Sequence, residues 1–260
     1  MLPRERIAEA IRAGNGNGNS EPALVAFMTA GFPQRARFRQ DLAAVAAGAD
    51  VVEIGVPFTD PMADGMTIQR SSREALRQGV TLQWILDELA AMPRLRTPLL
   101  LMSYLNPLLS YGYQRLAAAS VAAGVCGFIV PDLPLDESAG LRAALDPLGL
   151  ALVQMVTPVT PAARLERLCA ASQGFVYAVT MTGTTGASAT LPAGLNDYLR
   201  RVRAAATVPV CAGFGIRARA QVADLRGAVD GVIVGSALVE MLERGEAPQA
   251  WLASLRSAAR

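Results

Sequence analysis

AAGADVVEIG at residues 46–55, AAGVCGFIV at 122–130 and RGAVDGVIVG at 226–235 are three versions of one pattern. Each sets a glycine-containing helix end shortly before an apolar run rich in β-branched residues. A repeated βα unit produces this pattern, although glycine is favoured in any αβ loop.

Outward from these segments, eight short apolar runs recur along the chain: Leu24 to Thr29, Val51 to Gly55, Leu99 to Met102, Gly127 to Val130, Leu150 to Val156, Phe175 to Val179, Val208 to Ala212 and Gly231 to Val234. Amphipathic stretches with 3.6-residue spacing separate them: Arg39 to Ala47, Ser71 to Arg77, Tyr113 to Ala123, Ser138 to Leu145, Pro161 to Ala171, Leu195 to Ala205 and Ala218 to Leu225, with Leu238 to Glu243 closing the series. Continuous apolar strands, each followed by a helix, require a parallel sheet covered on its outer face. Eight such pairs predict an α/β fold, a single-domain TIM (β/α)8 barrel spanning residues 1–260. A doubly wound open sheet is the alternative. It needs fewer strands and a glycine fingerprint after the first, whereas the first turn here reads Ala30-Gly31-Phe32-Pro33. Ahead of the barrel, Ile7, Ala10 and Ile11 predict a helix over 4–13, and the glycine-asparagine tract that follows makes residues 1–20 an N-terminal helix with a flexible linker.

The chain has 260 residues and is 52% hydrophobic, enough for one substantial core and incompatible with a disordered or collagen-like protein. All 24 basic side chains are arginine; lysine and histidine are absent. Without lysine there is no Schiff-base aldolase, covalently held pyridoxal phosphate or P-loop lysine. Without histidine there is no Ser-His-Asp or Cys-His pair and no histidine-ligated zinc. Acid–base chemistry falls to carboxylates, tyrosine, cysteine or backbone. A net charge of +2 with scattered arginines forms no basic stripe for nucleic acid. Cys126, Cys169 and Cys211 form no CxxC pair and read as small buried hydrophobes in a reducing compartment. The N-terminus lacks the apolar run of a signal peptide, and no stretch reaches the ~18 apolar residues of a membrane span. A cytoplasmic protein with no membrane partner is expected.

In such a barrel the active site forms from the loops at the carboxyl ends of the strands. The second loop is the most unusual, with Glu53, Asp60 and Asp64 inside twelve residues that also hold Pro57 and Pro61. Alternation puts Glu53 on the same side as Val51. If that side faces the interior, desolvation raises the carboxyl pKa toward neutrality, where a proton shuttle works best. The competing reading is a structural acid bonded to backbone, and Asp60 and Asp64 also suit plain turn chemistry. Further along, Thr182 to Ser188 follows the sixth run, Gly213 to Ile216 the seventh, and Gly235-Ser236-Ala237 opens a helix after the eighth. Backbone N–H groups at three adjacent strand ends suit a phosphate.

VEIGVPFTDPMADGMTIQ (52–69), VPDLP (130–134), TGTTG (182–186) and the GFGI…GVIVGSA ending together resemble the tryptophan synthase α subunit family, from about residue 4 to the C-terminus. The resemblance implies cleavage of indole-3-glycerol phosphate to indole and glyceraldehyde 3-phosphate, with no metal and no cofactor. It puts acid–base catalysis on Glu53, stabilisation of the protonated indole on Asp64, and a site-lining tyrosine at Tyr177, which by pattern alone is equally a core residue. It implies phosphate binding by Gly186, Gly215, Gly235 and Ser236, an indole pocket from Phe27, Leu101 and Ile129 or their neighbours, and contacts to a β subunit in an αββα heterotetramer through Pro57, Asp60, Pro61, Asp132 and Pro134. One departure stands out: Met66 occupies a position where the family often has proline. A stand-alone indole-3-glycerol phosphate lyase, a non-catalytic phosphate-binding regulatory barrel and a flavin-binding barrel are the rival readings.

Overall fold

The structure, a computed structural model, describes residues 1–16, 21–180, 194–213 and 215–256. In chain order its elements are α1 (Pro3–Gly14), β1 (Ala23–Thr29), α2 (Phe38–Ala46), β2 (Val51–Gly55), α3 (Met66–Arg77), α4 (Leu82–Ala90), β3 (Leu99–Met102), α5 (Leu105–Tyr111), α6 (Tyr113–Ala123), β4 (Val125–Ile129), α7 (Ala139–Leu145), β5 (Ala151–Val156), α8 (Ala162–Ala171), β6 (Val176–Val179), α9 (Leu195–Ala205), β7 (Val210–Gly213), α10 (Arg219–Asp224), β8 (Gly231–Val234), α11 (Ser236–Glu243) and α12 (Pro248–Leu255). The eight strands are all parallel and close into a barrel, with β8 pairing back onto β1. The predicted TIM barrel is the observed fold.

Alternation along each strand sorts side chains to two sides. Val52, Ile54, Leu99, Leu101 and Phe128 point outward into the layer between sheet and helices. Val25, Val51, Leu100, Ile129, Val153 and Ile233 fill the interior. A register shift at the start of β4, where Leu99 faces Val125 but Leu100 faces Gly127, marks a β-bulge. Two of the three recurring segments, 46–55 and 226–235, share a further feature. Asp50 and Asp230 stand just before β2 and β8, and their carboxylates accept the N–H of Leu24 at 2.7 Å and of Val210 at 2.8 Å. In each case the aspartate satisfies the neighbouring strand at its first turn of pairing.

At the amino ends of the strands, α1 plugs the barrel. Ile7 and Ile11 are fully buried among Ala23, Val51, Cys126, Ala151 and Phe175. Arg4 N–H donates to the Gly149 carbonyl at 2.9 Å, and the Arg6 guanidinium donates to the Arg96 carbonyl at 3.1 Å. The following linker is outside the described residues over 17–20. Three helices, α4, α5 and α12, were not separated from loops by sequence periodicity. For α4 the missed signal is a cap, since Thr81 Oγ1 accepts the Trp84 N–H at 3.1 Å. Among the described residues no helix is long and apolar enough to cross a membrane.

Candidate active site

The carboxyl ends of the strands surround one cavity that Glu53, Asp64 and Tyr177 all line. Glu53 lies in register between Phe27 of β1 and Leu100 of β3, and its side chain is fully buried inside the barrel. Neither carboxyl oxygen has a hydrogen-bond partner among the described residues. An unpaired buried carboxylate is strongly disfavoured, and burial accordingly pushes this group up to about 8. Glu53 is therefore a neutral, proton-bearing acid near pH 7. Tyr177 of β6, opposite Met155 and Cys211 in register, is kept protonated by burial and then by the facing Glu53. Its ring needs Gly213 beside it: a Cβ there would stand 2.5 Å from the phenol oxygen.

Asp64 sits higher, just before Gly65 and the start of α3. Its N–H donates to the Pro61 carbonyl at 3.2 Å, and its carbonyl accepts the Gln69 side-chain amide at 2.8 Å. Burial raises its carboxyl to about 6, opposed by a hydrogen bond from Tyr104. Tyr104 is one site residue that no sequence pattern singles out. Its hydroxyl donates to Asp64 and accepts the Ala63 N–H at 2.9 Å, while the ring stacks on Phe58 with centroids 5.2 Å apart. Asp132 in turn accepts the N–H of Leu105, the next residue, at 2.9 Å. No local motif announces this arrangement. Only closure of the barrel brings the three loops together.

On the opposite side, Gly215, Gly235, Ser236 and Ala237 line the same cavity. Gly215 has φ of +83°, a left-handed conformation that suits glycine. The N-terminus of α11 begins after Gly235 with no side chain capping it, so its first amides remain open to an anion. Gly186 falls outside the described residues.

Three expected placements need correction. Leu101 faces the outer layer, because β3 presents Leu100 and Met102 to the interior; Met102 takes its place in the cavity wall with Phe27, Ile68 and Ile233. Ile129 does point inward but is not among the residues lining the cavity. Of the contact residues, Pro57 is buried within its own chain and offers no surface, whereas Asp60, Asp132 and Pro134 are exposed and Pro61 partly so. Among the described residues no cluster of three or more Cys, Asp or Glu side chains could hold a metal ion.

The family model described as tryptophan synthase alpha chain matches residues 15–259. The chain belongs to that family. Its relatives include the tryptophan synthase alpha chain of Nitratidesulfovibrio vulgaris strain DP4, 48% identical over 242 residues that cover 92% of each chain. The alpha chain of Chloroflexus aurantiacus is 44% identical over 245 residues, 92% of this chain and 90% of its own. Among solved structures, tryptophan synthase of Mycobacterium tuberculosis superposes with a TM-score of 0.87 at 35% identity, covering 96% of both chains. A chain of the Pyrococcus furiosus tryptophan synthase a2b2 complex gives a TM-score of 0.82 at 34% identity, covering 91% of this chain and 98% of its own. As a tryptophan synthase alpha chain, the protein is a lyase acting on indole-3-glycerol phosphate, in tryptophan biosynthesis.

Proposed function

We propose that Glu53 and Asp64 together carry the alpha-chain reaction, with Tyr177 bordering the glutamate. Glu53, neutral at pH 7, gives its proton to indole C3, and positive charge develops on the ring nitrogen beside the Asp64 carboxylate. The new Glu53 carboxylate removes the proton of the glycerol hydroxyl next to the scissile bond. The carbon–carbon bond then breaks, its electron pair returns to the ring, and indole and glyceraldehyde 3-phosphate result with Glu53 protonated again. Backbone amides at Gly215, Gly235 and Ser236 hold the phosphate, with Gly186 as a fourth candidate. The single observation that carries this reading is a buried carboxyl, without a partner among the described residues, on the floor of a cavity whose wall holds a second, anchored carboxyl.

The pH profile of kcat/KM tests it. Glu53 must be protonated and Asp64 ionised, so the rate should fall above about 8 and below about 6. A profile that stays flat through pH 9 would remove Glu53 as the proton donor.

The partner in this reading is a β subunit, assembled αββα, that receives the indole. Support comes from the rim of the mouth, where Met62, Met66, Leu109 and Val159 are exposed alongside Asp60 and Pro134. Exposed apolar side chains interspersed with polar ones suit a protein contact. The Pyrococcus relative is itself part of an a2b2 complex.

A further inference from the structure

Among the described residues, only one basic side chain lines the active-site cavity: Arg217. It belongs to the loop after β7, two residues beyond Gly215. Buried Gln221 fixes that loop, its Oε1 accepting the N–H groups of Arg217 at 2.8 Å and Ala218 at 3.1 Å, and its Nε2 donating to the Gly215 carbonyl at 3.0 Å. The backbone is thus held by Gln221, while the side chain is 42% exposed and bonded only to another side chain among the described residues. The guanidinium lies on Glu240, one helical turn below the open N-terminus of α11. The other Glu240 oxygen accepts Thr67 Oγ1 at 2.9 Å, and Arg244 stands near enough to favour the charged carboxylate.

We infer that Arg217 is a specificity residue for the phosphate group, exchanging Glu240 for the substrate's phosphate once that dianion occupies the Gly215, Gly235 and α11 cradle. The inference rests on the phosphate assignment made above. An ion pair at this exposure contributes a factor of about five at most. A dianion offers the guanidinium bidentate, charge-assisted bonds beside a helix N-terminus that already favours negative charge. Glu240 is not orphaned by the exchange, because Thr67 and Arg244 remain. Backbone amides alone would accept many anions; an arginine released only to a strong competitor favours a phosphorylated substrate over an uncharged one.

The test is calorimetric titration with glycerol 3-phosphate, with thermal melts confirming that each variant is folded. Arg217→Ala should weaken binding about tenfold. Glu240→Gln should tighten it a few-fold, and that gain should vanish when Arg217→Ala is also present. Opposite signs and a coupled pair are the signature. If both single variants weaken binding, if Glu240→Gln changes nothing, or if its gain persists without Arg217, the pair is a structural brace and the exchange is wrong. If Arg217→Ala leaves affinity intact while Gly235→Asp abolishes it, the cradle stands and this inference falls. If Gly235→Asp also has no effect, the phosphate assignment itself fails.

Discussion

The two ends of the barrel are built from the same strands and obey opposite rules. At the amino ends, Ile7 and Ile11 of α1 fill the opening with apolar volume, and backbone groups meet partners at 2.9 to 3.1 Å. At the carboxyl ends, Glu53, two residues beyond Val51 on β2, is buried with both oxygens unpaired among the described residues, and Asp64 in the loop that follows is pushed toward neutrality. One end is optimised for stability. The other holds groups whose environment opposes their charged forms, as expected where side chains must exchange protons. The contrast teaches that burial in a closed barrel is neutral toward function until a titratable group is placed in it.

Three substitutions probe this contrast, and the largest effect is expected at Glu53. Glu53→Gln should lower indole release by at least ~10²–10⁴-fold, because an amide cannot carry the proton. The same change should stabilise the fold at alkaline pH. Since the folded-state pKa is raised from 4.5 to about 8, the native protein holds a proton that the unfolded chain has lost, and stability declines as pH rises across that window. Melting curves between pH 5 and 9 should show this decline in the parent and a shallower one in the variant. Equal slopes would mean that Glu53 is not the strained group.

At the opposite end, Ile11→Ala should destabilise by about 2–5 kcal/mol through loss of buried volume, read by denaturant unfolding. Its turnover at low temperature should stay near that of the parent. A turnover defect comparable with Glu53→Gln would show that the two ends are not separable.

The smallest effect is expected at Tyr104. Tyr104→Phe removes the hydroxyl that both donates to Asp64 and accepts from Ala63, and should reduce kcat about tenfold with little change in KM. The acid limb of the rate profile should move above 6, since the lost bond is the one that lowers the Asp64 pKa. An unchanged acid limb would reduce Tyr104 to packing.

How far these features were legible in the sequence follows from where their causes lie. The barrel was legible because its strands are nearly all apolar and repeat with helices between them. Glu53 was legible because a carboxylate interrupts such a strand. Leu101 was misplaced for the same reason: in Leu99 to Met102 every residue is apolar, so the pattern carries no parity. Register then decides which residues face inward, and Glu53 pairs with Leu100. Tyr104 and Arg217 were missed because their partners lie 40 and 23 residues away, Asp64 through a loop crossing and Glu240 through the turn into α11.

The hydrogen bonds from Tyr104 to Asp64 and from Leu105 to Asp132 have a consequence for engineering. Loops on this kind of scaffold are commonly treated as interchangeable modules, each grafted without regard to its neighbours. Here the segments after β2, β3 and β4 are tied in series, so the acid at position 64 is held by a residue from the second segment whose own helix start is held by the third. Transplanting residues 56–65 alone into another barrel would carry over the aspartate without the parts that aim it. The transferable unit is the set of three.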